Sequence, residues 1–187
     1  MRDSKNAPDR YIVFDTETPN CRNNSICSIA VSIVENGRIT EERCDLVDPE
    51  ARFDPFNIRI HGITPEMVRG EKNFPELWSE LAPIFDSGVL VAHNAAFDLG
   101  VLSKLFRQYG IHREGDYYAC TVRMGRKYMK QVQNHKLDTL CRYLDIPLDH
   151  HNAASDSHAC AELLRYYMYQ GFPVKSNISY WEYSCHC

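Results

Sequence analysis

Apolar positions along the chain fall into two rhythms, and the rhythms predict its elements. Tyr11–Asp15 reads Y-I-V-F-D, an unbroken apolar run ending in an acid, as expected of a central strand buried on both faces. Ser25–Val34 and Arg38–Val47 flank Asn36-Gly37, a strong two-residue hairpin turn, so the second and third strands are antiparallel. Thr64–Val68 begins like a short helix, with Thr64 as cap and Pro65 at the first helical position. Phe74–Phe85 has helical spacing, with Pro83 weakening its last turn. Val89–Ala92 is a short buried strand, and Ala95–Tyr109 a helix ended by Gly110. Tyr118–Met129 starts as a fifth strand and continues as a helix. Lys136–Leu144 is a helix stopped before Pro147, and Ala153–Tyr169 a long helix ended by Gly171. Strands alternating with helices behind a hairpin indicate an α/β fold with helices on both faces of the sheet.

Acids stand where this pattern calls for apolar residues. Asp15 and Glu17 follow the strongest strand, two apart, so both leave the same face if the strand persists. Asp98 is followed at three, four and seven residues by Val101, Leu102 and Leu105, which puts it on the buried stripe of its helix. Asp156 repeats this with Ala159, Cys160 and Leu163. Either aspartate alone would fit a helix cap or an ion-pair partner. An unpaired buried carboxylate is costly, and three segments that each aim one inward are explained economically by a shared cation site. Carboxylate oxygens without Cys or His suit Mg²⁺ or Mn²⁺. Four of them can bridge two such ions roughly 4 Å apart, the arrangement of two-metal phosphoryl chemistry. His151 supplies a base: it sits in the loop entering the last helix, and neutral imidazole can take a proton from water near neutral pH. His150, its neighbour, reads as a surface residue.

These residues also carry a family likeness. The chain resembles the DEDDh branch of 3′–5′ exonucleases, which includes the proofreading subunit of bacterial DNA polymerase III, the exonuclease part of PolC-type polymerases, and RNase T. F-D-T-E-T at Phe14–Thr18, H-N-A-A-F-D at His93–Asp98 and H-x4-D at His151–Asp156 match its three motifs in order. I-H-G-I-T at Ile60–Thr64 and H-K-L-D-T-L at His135–Leu140 resemble further family segments, and the likeness runs from about Tyr11 to Gln170. It implies an RNase H-like fold with a central five-stranded mixed sheet, order 3-2-1-4-5. It implies Asp15, Glu17, Asp98 and Asp156 as ligands of two divalent ions, and His151 as the base. It further implies that Thr16, Thr18, His61, Ile63, His93, Asn94 and Phe97 line the pocket for the terminal nucleotides. For Ile63 and Phe97 plain core packing is an equal alternative, and His61 and His93 would also serve to satisfy loop backbone groups. Asp138, at a helix start, reads as structural.

The expected reaction is release of nucleoside 5′-monophosphates from a single-stranded or frayed DNA 3′ end. The alternatives are an RNA-trimming enzyme of the same fold, or a polymerase-associated nucleic-acid-binding subunit. All five active positions are filled, which favours an enzyme over a binding module.

Composition and charge narrow the picture further. The chain has 187 residues, 44% hydrophobic and 25% charged, the balance of one globular domain rather than a disordered chain. We read residues 10–172 as the exonuclease domain, 1–9 as a polar tail and 173–187 as a C-terminal tail. In that second tail Tyr180, Trp181 and Tyr183 would either anchor a partner, such as a DNA polymerase subunit, or pack on the domain itself. Net charge is −4, so any affinity for a polyanion needs metal ions or a local basic patch. Residues 120–143 carry a net +5 and the remainder −9. The bland account of that run is a solvated helix face; phosphate-backbone contact is the other. No apolar run is long enough to span a bilayer, and Met1–Arg10 lacks the apolar core of a secretory signal, so the expectation is a cytoplasmic protein with no membrane partner. The eight cysteines contain no C-x-x-C pair and read as reduced thiols. Cys185-His186-Cys187 offers three soft ligands, but three adjacent residues rarely wrap a tetrahedral ion unaided.

Overall fold

In the computed structural model, which describes residues 9–183, one mixed sheet lies between two helical layers. Its strands are β1 (Arg10–Glu17), β2 (Ser28–Glu35), β3 (Arg38–Leu46), β4 (Val89–Ala92), β5 (Gly115–Cys120) and β6 (Ser179–Glu182). The order is β3-β2-β1-β4-β5-β6. The expected 3-2-1-4-5 arrangement is therefore present, with a sixth strand added beyond β5. β1 is antiparallel to β2 and parallel to β4, and β4 is parallel to β5. The C-terminal ends of β1, β4 and β5 thus lie at one end of the sheet. Asn36 and Gly37 both have positive φ, 50° and 73°, the backbone that a tight β2–β3 hairpin requires.

Side-chain alternation on β1 builds two cores. Ile12 and Phe14 face the layer of α2 (Phe74–Asp86) and α3 (Ala96–Tyr109), where they meet Trp78, Phe85, Leu102 and Phe106. Tyr11 and Val13 face α4 (Thr121–Tyr128), α5 (Leu137–Tyr143) and α6 (Ala153–Tyr169), where they meet Met124, Leu140, Cys160 and Leu164. α6 approaches the sheet closely because its inner face is small. Ser157, fully buried, donates to the Val13 carbonyl at 3.3 Å and lies 3.0 Å from the Ser32 hydroxyl.

Two local features differ from the expectation. Thr64–Val68 forms turns rather than a helix: Met67 N–H reaches the Thr64 carbonyl, and Glu71 N–H the Val68 carbonyl, with Gly70 at φ 83°. The helix lies upstream instead, as α1 (Pro55–His61), closed by Gly62 at φ 75°. Asp54-Pro55 offers the same cap-then-proline signal as Thr64-Pro65, and each is followed by a left-handed glycine, but seven residues form a helix before Gly62 where the five before Gly70 form turns. α2 runs through Pro83 to Asp86.

β6 pairs antiparallel with β5, and the chain then folds over α3. Trp181 Nε1 donates to Ser103 Oγ at 3.0 Å. Tyr183, only 6% exposed, meets Phe106 edge-on with ring centroids 4.8 Å apart. Of the two readings of this segment's aromatic residues, packing on the domain is the one observed. Residues 184–187, with Cys185-His186-Cys187, lie outside the described residues. The six described cysteines are free thiols, and no described helix is long and apolar enough to cross a membrane. Burial of Tyr183 predicts that Tyr183→Ala lowers stability by roughly 3 kcal/mol, measurable as a lower urea midpoint at unchanged slope. A change within about 0.5 kcal/mol would show that the segment adds nothing to the domain.

Candidate active site

The strand alternation that splits the core also builds the site. Asp15 and Glu17 share the parity of Tyr11 and Val13, so they leave β1 toward α6, where Asp156 sits in the first turn. Carboxylate oxygens of Asp15, Glu17 and Asp156 lie within 4.8 Å of one another. Thr16, of opposite parity, leaves toward α3, and its hydroxyl donates to Asp98 Oδ1 at 2.8 Å. Asp98 is 2% exposed, Asp156 4% and Glu17 9%. The three helix neighbours expected below Asp98 and the three below Asp156 are all buried, as their spacing requires. The four acids therefore converge from three elements at the C-terminal end of β1.

Burial and mutual repulsion hold protons on Asp15, Glu17 and Asp98 when no cation is present. Burial, with Asp98, Asp156 and Glu17 close by, pushes Asp15 well above the usual carboxylate range. Burial and then Asp156 and Asp98 push Glu17 to about 8. Burial raises Asp98 to about 7, opposed by the hydrogen bond from Thr16.

Asp156 organises the loop before its helix. Its Oδ2 accepts from the His151 amide at 2.9 Å, and its Oδ1 lies 2.9 Å from His150 Nδ1. His151 adopts φ 69°, a left-handed backbone that costs a non-glycine residue and is held here by the Asp156 bond and the Asn152 cap of α6. The two imidazoles stack with centroids 3.9 Å apart, and both are exposed. Partial burial and His150 lower the His151 pKa, which favours the neutral ring.

The other expected pocket residues surround this centre. The Thr18 carbonyl accepts from Asn57 Nδ2 of α1 at 2.9 Å, and its hydroxyl donates to Asn23 Oδ1 at 3.2 Å. His61 Nδ1 accepts from the Ile63 amide at 3.0 Å, so the ring proton sits on Nε2, 3.2 Å from the same Thr18 carbonyl. His61 thus satisfies loop backbone groups, one of the two roles foreseen for it. Ile63 is buried against Cys27 and Val68. Asn94 is exposed at φ 70°, and Phe97 is 40% exposed at the start of α3. His93 Nδ1 lies 2.9 Å from Thr121 Oγ1, and burial depresses its pKa to about 4. Asp138 bonds the Thr139 amide at 2.8 Å in the first turn of α5, a structural placement. His150 is exposed, as the sequence suggested, yet it also reaches Asp156, and sequence reasoning gave Thr121 no role. Only the fold brings them to the site, although the run of small residues on α6 was a usable signal of close helix–sheet contact.

Residues 12–164 match the exonuclease family model. The chain belongs to the exonuclease family. It is an exonuclease domain, related to PolC-type DNA polymerase III. Among curated proteins it is 34% identical over 157 residues to a PolC-type DNA polymerase III of Halalkalibacterium halodurans, covering 82% of this chain and 11% of that one. The Streptococcus suis PolC-type DNA polymerase III is 31% identical, with the same coverage. The chain thus spans about a tenth of the length of the curated relatives it matches. Exonuclease X in complex with 5′ overhanging duplex DNA has a similar fold, with TM-score 0.73, 24% identity, and 90% of this chain and 96% of that chain covered. So has the nuclease domain of 3′hExo, a DEDDh family member bound to rAMP, with TM-score 0.77, 14% identity and coverage of 92% and 96%.

The raised acids predict an unusual pH dependence for the cation-free exonuclease domain. Glu17 moves from 4.5 to about 8 and Asp98 from 3.8 to about 7. Between those limits the folded state binds more protons than the unfolded chain, so stability falls as pH rises. In EDTA the melting temperature should drop from about pH 5 to about pH 8, and Mg²⁺ should reverse the drop. Asp15→Asn should raise the EDTA melting temperature and flatten the dependence. A flat wild-type profile in EDTA would show that the acids are not coupled as described.

Proposed function

We propose that this domain removes nucleoside 5′-monophosphates from the 3′ end of single-stranded or frayed DNA by two-metal-ion hydrolysis. The convergence of Asp15, Glu17, Asp98 and Asp156 beside the His151 loop carries the reading. The donor set fits hard divalent cations: it is all carboxylate, buried or half-buried, and self-repelling unless positive charge is present. Asp15, Glu17, Asp98 and Asp156 would hold Mg²⁺ or Mn²⁺. Bound there, a pair of such ions would lower the pKa of the attacking water and neutralise charge on the leaving 3′ oxygen. Thr16 keeps Asp98 oriented through its hydroxyl. His151, neutral and exposed at the rim, takes the proton from the water. Phe97 offers an exposed ring on which an unpaired base can stack without regard to sequence.

The PolC-type DNA polymerase III relatives and the DNA-bound Exonuclease X support DNA as the substrate and a DNA polymerase subunit as a partner. The 3′hExo domain bound to rAMP supports the second reading, RNA 3′-end trimming on the same site. Degradation of matched 5′-labelled DNA and RNA oligomers, with and without divalent cation, decides between them. In that assay His151→Ala should lower kcat by roughly 10²–10⁴-fold with Mn²⁺ affinity nearly intact. Equal loss of both would make His151 a ligand. Asp15→Asn should abolish cleavage at saturating Mg²⁺, and retained cleavage would remove Asp15 from the site.

A further inference from the structure

The −4 chain places three exposed cations along one short helix and a fourth just past its end. α4 starts directly from the C-terminal end of β5, at the same end of the sheet as Asp15 and Glu17. Its first residue, Thr121, holds His93 through the 2.9 Å contact already described. Two residues on begins a stripe, Arg123, Arg126 and Lys127 on α4 and Lys130 in the turn after it, all exposed, while Met124, Gly125 and Met129 between them are buried. Arg43, Arg113 and Arg165, by contrast, are taken by acids. Among the described residues no acid pairs with any of the four in the stripe. Two of them are held by neutral groups instead. Arg123 Nη1 reaches Ser179 Oγ at 3.3 Å and Tyr118 Oη at 3.4 Å, and Lys127 Nζ reaches Asn177 Oδ1 at 3.4 Å. Hydroxyls and an amide orient the charges without neutralising them.

We propose that this stripe along α4 binds the phosphodiester backbone of the substrate strand upstream of its scissile 3′ end. The inference rests on the exonuclease reading of the acid cluster and names how the rest of that strand is held. Charge complementarity selects the occupant, since four uncompensated cations leading away from an acidic centre suit a polyanion whose end is in that centre. Arg123, Arg126 and Lys127 follow one another at helical spacing and Lys130 continues past the end of α4, so the cations can meet successive phosphates of one strand.

The test replaces all four by glutamine (R123Q/R126Q/K127Q/K130Q), changes confined to exposed positions. Three readouts are compared with wild type: hydrolysis of thymidine 5′-p-nitrophenyl phosphate, hydrolysis of a single-stranded 20-mer, and anisotropy of a fluorescent 20-mer blocked by 3′ phosphorothioates. The variant should keep wild-type ester hydrolysis and wild-type kcat on the 20-mer. Its KM and its Kd for the blocked strand should rise at least 10-fold. The slope of log Kd against log salt should shrink by about 0.7 for each phosphate that the variant no longer neutralises. Unchanged binding and an unchanged slope overturn the proposal, whatever the ester assay shows. Wild-type binding to polyglutamate as tight as to the 20-mer overturns it in favour of an acidic protein partner. Wild-type failure to hydrolyse either substrate, with the salt-dependent binding difference intact, would overturn the exonuclease reading and leave the stripe standing.

Discussion

Four carboxylates brought together out of water repel one another and lose hydration, and the rest of the fold is arranged around that cost. Asp15 and Glu17 are delivered by the central strand, Asp98 by α3 and Asp156 by α6, so no single element can relax to separate them. The two cores, Ile12 and Phe14 on one face and Tyr11 and Val13 on the other, clamp β1 between the helices that carry the opposing acids. Hydrophobic burial of those layers is what holds a locally unfavourable charge cluster in place. A bound cation would remove the conflict and so stabilise the folded domain.

The same economy appears in the supporting contacts. Thr16 gives Asp98 a hydrogen bond from the strand that carries two other acids, and so ties the two helical layers through β1. Asp156 commits both oxygens to its own loop, one to the His151 amide and one near His150 Nδ1. Loop geometry and acid placement are therefore one feature: the residue that completes the cluster also sets where the proposed base stands. His61, by contrast, is occupied with the Thr18 carbonyl and the Ile63 amide, and serves the shape of the pocket wall.

Much of this was legible along the chain because side-chain periodicity is a local property. A two-residue step on a strand put Asp15 and Glu17 on one face. Helical spacing put Asp98 above Val101, Leu102 and Leu105, and Asp156 above Ala159, Cys160 and Leu163, and all these neighbours are buried as that spacing requires. The Asn36-Gly37 turn and the α6 bounds also followed from local signals. Local signals failed where two segments offered the same cue. Asp54-Pro55 and Thr64-Pro65 are alike in sequence, each followed by a left-handed glycine, and only the fold shows that the first one is the helix.

The amino-acid sequence alone determined the layer pattern, the acids that must face inward and the exonuclease likeness, because each depends on residue type and spacing. It left open what the aromatic residues after 172 do, and it did not show that the exposed His150 reaches Asp156. Pairing of Ser179–Glu182 with β5, packing of Tyr183 on Phe106, and the approach of His150 to Asp156 are contacts between segments remote in sequence or set by a left-handed backbone. Such contacts form only when loop closure has been offset by packing of the whole domain, so tertiary structure alone could decide them.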